Sequence, residues 1–337
     1  MNTVIRIIKP FILPALVWGL VSASRVPLPV YAQYNGKPET IAHDFLDLEK
    51  ELGAARDQYP AVNALIGKAV GKISSRQNHT TEQAIVVLRT IDSILADEGY
   101  RFGKNLLLGV GLEKKTIDCD NYCALYIAIA EVIKIPIVPV YAPDHSFIRF
   151  FFDDGTYINW ETTQAEIRPD SYYIKTLRIP PESIRDGVYM KTLSRKEFIA
   201  VEYNNIGAHI MKGGKYAGAV AYFSEAIGRY PVFSSAYHNR GSSLYALGRS
   251  DEALTDLLRA NGLDPSRAGT HNTLGDIYLD RNELEKALGE FNASIKLDPA
   301  NYVPYNSIAI IMKRKGDGRK ALIWQEKSRR VKERYGK

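Results

Sequence analysis

A period of 34 residues runs through the C-terminal part of this 337-residue chain and constrains its fold more than any other feature. Counted in units that begin at residues 200, 234, 268 and 302, the eighth position holds Gly207, Gly241, Gly275 and Ala309. The twentieth holds Ala219, Ala253, Ala287 and Ala321, and the twenty-fourth holds Phe223, Leu257, Phe291 and Gln325. The twenty-seventh holds Ala226, Ala260, Ser294 and Ser328, and the thirty-second holds Pro231, Pro265 and Pro299. Small residues at fixed offsets let two helices touch, a large apolar residue fills the gap, and proline ends the second helix. Each unit can bury its apolar face only against the next, so residues 200–337 are expected to form an all-α solenoid. The fourth unit carries Gln325 where the others are apolar, which suits a terminal cap.

These columns resemble the tetratricopeptide repeat, in units 200–233, 234–267, 268–301 and a degenerate 302–337. The resemblance implies a concave groove that binds a protein or peptide partner. Charge adds one feature. The chain has a formal net charge of +6, and the stretch from Lys313 to Lys337 alone carries 11 basic and three acidic residues. That run reads as a solvated last helix, or as contact with an acidic partner. No basic motif is interleaved with aromatics, so nucleic acid is not an expected partner.

The other end looks like an export signal. Arg6 and Lys9 precede an apolar run from Phe11 to Ala23, and Val30-Tyr31-Ala32 has the small-residue spacing of a cleavage site, with Val21-Ser22-Ala23 as a second candidate. The run is shorter than the roughly 20 residues a membrane-spanning helix needs. Residues 1–32 are therefore expected to be a signal peptide, and the mature protein to be periplasmic, with an uncleaved membrane anchor as the alternative. No integral membrane span is expected after cleavage.

Residues 33–79 read as a helical N-terminal segment, with Ile41–Leu52 and Ala61–Ile73 as helices. Residues 80–199 form the next expected domain. Thr80 or Thr81 caps a helix carrying Ala84, Val87, Leu88, Ile91 and Leu95 at helical spacing. Asp118 caps an almost wholly apolar helix from Cys119 to Ile133, which reads as the central buried helix. Ile137–Tyr141, His145–Phe152 and Thr156–Glu161 read as strands, and residues 164–193 as polar, irregular chain.

An exported chain with only Cys119 and Cys123 poses the question of what its thiols do. Four apart on one helix, they cannot form an unstrained disulfide. Cys123, one turn inside, reads as a buried small hydrophobe. Cys119 sits at the helix N-terminus, where the dipole favours a thiolate, although Asp118 and Asp120 oppose it. Of the six histidines, His209, His238 and His271 lie in the repeats and His43 and His79 lie in or just before expected surface helices. His145 alone opens the strand that returns to the cysteine helix. The third group follows from register. If Asp153-Asp154-Gly155 is a three-residue hairpin loop, Arg149 faces Asn159 and Glu161 shares the face of His145, one diagonal step away. A two-residue loop would send Glu161 to the other face.

Cys-Asp-Asn-Tyr-Cys-Ala-Leu, Ile-Pro-Ile-Val, His-Ser-Phe-Ile-Arg and Tyr-Ile-Asn-Trp-Glu-Thr-Thr, in this order, resemble the core of the transglutaminase-like superfamily, relatives of papain-type peptidases. The resemblance covers residues 80–195. It implies an α+β fold in which the helix bearing Cys119 packs on an antiparallel sheet. It also implies Cys119 as nucleophile, His145 as base and Glu161 at the position of the family's aspartate. The implied function is hydrolysis or acyl transfer on a peptide-like amide or ester. A domain of this kind without turnover, serving as a scaffold with the repeats, and a redox-sensing thiol are the other readings. Trp160 reads as core. No metal-ligand spacing and no phosphate loop is present, so no cofactor is expected.

Overall fold

The computed structural model describes residues 33–34, 37–50, 57–73 and 80–336. The expected signal peptide and His79 lie outside them. The chain divides into two compact units: residues up to Leu177 with Tyr189–Ile206, and Arg178–Val188 with Gly207–Lys337.

The first unit begins with a two-strand ribbon, β1 (Gln33–Tyr34) and β2 (Lys37–Pro38), and then three helices, α1 (Ile41–Lys50), α2 (Tyr59–Lys72) and α3 (Thr81–Asp97). Thr80 caps α3 in a reciprocal box with Gln83, so its hydroxyl takes the Gln83 N–H while the Gln83 side chain takes its own N–H. The segment β3 (Arg101–Phe102), α4 (Leu108–Lys114) and β4 (Thr116–Ile117) follows, with β3 and β4 pairing in parallel. Central to the unit is α5 (Cys119–Ile133), capped by the Asp118 carboxylate on the Asn121 N–H and buried from Asp120 almost to its end. It lies between α1 and α2 on one side and the sheet on the other.

The sheet is an antiparallel meander of β5 (Ile137–Ala142), β6 (His145–Phe151), β7 (Tyr157–Glu161) and β8 (Glu166–Ile167). Ile148 pairs with Trp160, Arg149 with Asn159 and Phe150 with Ile158. This is the register that a three-residue loop requires. Phe152 closes the loop onto the Thr156 carbonyl, and Gly155 takes a φ of 80°. Residues 190–193 run along the β5 edge, with Met190 and Leu193 donating to the Tyr141 and Pro139 carbonyls. That covers the sheet's outer edge.

The stretch expected to be irregular holds two short helices, α6 (Asp170–Thr176) and α7 (Pro181–Arg185), besides β8. They are too short to carry a periodic signal, and contacts distant in sequence set α6. The Asp170 carboxylate takes hydrogen bonds from Arg149, Asn159 and Tyr157 on the β6–β7 face.

The second unit is built from helix pairs. After α8 (Arg195–Lys212) come α9 (Tyr216–Arg229), α10 (Ser234–Ala246), α11 (Ser250–Leu263), α12 (Ala268–Asp280), α13 (Leu284–Leu297), α14 (Val303–Arg314) and α15 (Gly318–Tyr335). The sequence columns sit at the helix crossings. A Cβ added to Gly275 would lie 2.6 Å from the Phe291 ring, and one at Gly207 2.6 Å from that of Phe223. Ala219, Ala253 and Ala287 are wholly buried, whereas Gln325 is exposed on the last helix.

The expected boundary at residue 200 differs from the division seen. Residues Arg195–Ile206, the start of α8, pack in the first unit, where Phe198, Ala200, Val201 and Ile206 are buried. The repeat period starts before the second compact unit does, because the first repeat helix buries its opening turns in the α+β unit. Residues 178–188, placed by sequence in the preceding domain, pack with the repeats: the Ser183 hydroxyl donates to the Leu263 carbonyl and Tyr230 to that of Val188.

Candidate functional site

The β6–β7 register sets the site. His145, Phe147 and Arg149 alternate onto one face of β6, and Tyr157, Asn159 and Glu161 onto the same face of β7. Two ties cross between the strands on that face. Arg149 Nε donates to Asn159 Oδ1 at 2.9 Å, and His145 Nε2 lies 2.7 Å from Glu161 Oε2. The imidazole is one-fifth exposed, while the Glu161 side chain is almost wholly covered.

Glu161 accepts four hydrogen bonds. Its Oε1 takes the Thr163 N–H at 3.2 Å and hydroxyl at 2.5 Å, and Oε2 takes His145 and the Tyr173 hydroxyl at 3.3 Å. Burial opposes its charge, but the bonds from His145 and Thr163 outweigh burial and hold the carboxyl below its ordinary range. A carboxylate so fixed draws the imidazole proton to Nε2 and leaves the Nδ1 lone pair as the basic site.

Cys119 is half-buried at the first turn of α5, and its sulfur accepts the N–H of Ser146, the residue after His145. The sulfur is thus tied to the residue that follows His145 on β6, and among the described residues no hydrogen bond joins it to the imidazole. The pull of the helix dipole towards a thiolate is outweighed, in part by the two aspartates expected to oppose it. Burial, then Asp120, then Asp118 push the Cys119 thiol well up, and the Ser146 N–H offsets only part of this. Cys119 therefore rests as a thiol. Cys123 is wholly buried beside Thr162 and fits its reading as a small hydrophobe.

Beside Cys119 lies a cluster of acids of which the sequence displayed Asp118 and Asp120 but not Glu49 and Glu202. Glu49 of α1 accepts the Leu108 and Gly109 N–H groups at 2.5 and 2.8 Å, yet burial pushes its carboxyl up to about 7. Glu202 of α8 is wholly enclosed beside it and is pushed well up by burial and the Glu49 charge. Burial and the neighbouring Asp120 raise Asp118 likewise. Asp120, raised by burial, is tied to Asn205 Nδ2 at 3.1 Å. Glu49 and Glu202 come from segments distant from Asp118 and Asp120 and share no spacing with them. Among the described residues, no group of three or more His, Cys, Asp or Glu is placed to hold a metal ion.

Trp160 is core, as read. Its indole N–H donates to the Tyr126 hydroxyl, which in turn donates to Asp92, and burial raises Asp92 to about 6. His43, expected on a surface helix, is buried, bonded to the Thr40 hydroxyl and packed on Tyr59. His238 contacts Thr270, and His271 bridges Glu290 and the Pro265 carbonyl, so both serve the helix pairs. The Asn105 side-chain amide donates to the Thr116 carbonyl and hydroxyl, and its main-chain carbonyl accepts the Asn121 side-chain amide.

Comparison with known proteins bears on the second unit. Family models described as tetratricopeptide repeat match residues 211–268 and 268–301. A curated relative, the TPR repeat-containing thioredoxin TTL4 of Arabidopsis thaliana, is 36% identical over 125 residues, which is 36% of this chain and 18% of that protein. The chain thus spans under a fifth of that relative's length. Crystal structures of MamA match at 22% identity and a TM-score of 0.38, over 40% of this chain and 79% of that one. The first TPR of Spaghetti (RPAP3) bound to an HSP90 peptide matches at 22% identity and a TM-score of 0.34, over 35% of this chain and 93% of that one. The C-terminal part of the protein is a tetratricopeptide-repeat array, preceded by an α+β unit with small sheets. Among the described residues, no helix is long and apolar enough to cross a membrane.

Proposed function

We propose that this protein is an exported transglutaminase-like cysteine enzyme, a hydrolase or acyltransferase of amide or ester bonds, whose repeats recruit a protein partner. The observation that carries the proposal is the His145–Glu161 bond at 2.7 Å, next to the Ser146 N–H on the Cys119 sulfur. A buried carboxylate orients the imidazole, and the imidazole's second nitrogen is left to take the thiol proton. Because the thiol rests protonated, deprotonation accompanies attack. Cys119 Sγ bonds to the carbonyl carbon, its proton passes to His145, and His145 returns it to the departing amine or alcohol. The acyl-thioester is then resolved by water or by an amine, which restores the thiol. The unpaired N–H of Cys119 at the start of α5 is the donor available to the developing oxyanion. In a site of this kind the sulfur–imidazole bond tightens on substrate binding.

Export to the periplasm rests on the Arg6, Lys9 and Phe11–Ala23 pattern, and peptide or protein binding on the repeat class. A scaffold without turnover is the second reading. It draws on the neutral, acid-flanked thiol, a poor nucleophile unless a base assists it. Alkylation separates the two. With iodoacetamide at pH 8, Cys119 reacts faster than Cys123, and His145→Ala slows Cys119 several-fold. A Cys119 rate untouched by His145→Ala favours the scaffold.

A further inference from the structure

We infer that Tyr173 is a positioning residue that locks Glu161 onto His145, an inference that rests on the site proposed above. Three observations carry it. The Tyr173 hydroxyl donates to Glu161 Oε2, the same oxygen that takes His145. The Tyr173 ring lies face to face on Phe147, 3.8 Å between centroids and 7° between planes, and 6.1 Å from the His145 ring. The residue is 1% exposed, and burial, then Glu161, push its hydroxyl far up, so it remains a donor throughout the physiological range.

A glutamate has one more torsion than an aspartate, so a carboxylate at this position has more ways to turn away from the imidazole. Thr163 holds Oε1, and Tyr173 supplies the second anchor on Oε2. The tyrosine is itself held on α6. That helix is pinned to the sheet through Asp170, which receives Arg149 Nη2 at 3.0 Å, Asn159 Nδ2 at 2.7 Å and the Tyr157 hydroxyl at 2.7 Å. The aromatic stack fixes the ring, and the ring fixes the hydroxyl.

The test is Tyr173→Phe in the full chain, which keeps the stack and removes one donor. Without that donor only His145 holds Oε2, the carboxylate turns away from the imidazole more often, and the His145 Nε2–H, followed by NMR, should exchange with water several-fold faster. The unfolding temperature should change little. An exchange rate equal to that of the wild type overturns the inference and leaves Tyr173 as packing. Should the variant fail to fold, the Tyr173 ζ-carbon resonance decides: it should move in Glu161→Gln, and a resonance that stays in place overturns the inference. Neither readout needs turnover. Faster exchange in a protein that never forms an acyl-enzyme would therefore uphold the role of Tyr173 and reject the enzyme.

Discussion

At the scale of the residue, Cys119 is governed by opposed charges. The α5 N-terminus and the Ser146 N–H favour its thiolate, but burial and two aspartates on either side win. Asp120→Asn removes one like charge without shortening the side chain. Its expected effect is a lower Cys119 pKa and about tenfold faster alkylation at pH 8, one pKa unit for the loss of an adjacent charge. A rate unchanged from the wild type would mean that desolvation alone raises the thiol. The dipole was legible from the position of Cys119 after its Asp118 cap, and the sequence also displayed the two aspartates. What it hid was the degree of burial and the further acids, Glu49 of α1 and Glu202 of α8, that couple to Asp118 from far away in the chain.

At the scale of the element, local signals proved readable and tertiary ones did not. Asp118 starts α5, and Asp153-Asp154-Gly155 sets the β6–β7 register that brings Glu161 to His145. Each is decided by a few adjacent residues with specific backbone preferences. The seven residues of α6 have no such signal beyond Pro169, and the helix exists through what Asp170 and Tyr173 reach on the sheet. The helix pairs of the repeats were legible because their contacts recur. Gly275 meets Phe291 with no room for a side chain, and Gly275→Ala is expected to lower stability by about 1–3 kcal/mol by overpacking. Urea unfolding measures this. A variant as stable as the wild type would show that the α12–α13 crossing opens without cost.

At the scale of the whole molecule, the first compact unit takes in the residues of α8 up to Ile206. Its Glu202 makes that unit sensitive to pH. Glu49, Asp118 and Glu202 all have folded pKa values above their unfolded ones, so the folded state retains protons that the unfolded chain has released. Such groups stabilise less as pH rises from the unfolded carboxyl value of 4.5 through the folded one, about 7 for Glu49. The unfolding temperature is therefore expected to fall between about pH 5 and 8. Glu202→Gln, which keeps the neutral shape, should flatten the slope. A slope of the opposite sign would mean that the cluster is ionised in the folded state.

The central claim is that Cys119 is a nucleophile with His145 as its base. Mass spectrometry of the intact protein after brief exposure to cell-envelope peptides and acid quenching tests it most directly. The account predicts one acyl group on Cys119, absent in Cys119→Ala and strongly reduced in His145→Ala. An unmodified Cys119, or an adduct that persists undiminished without His145, would contradict it.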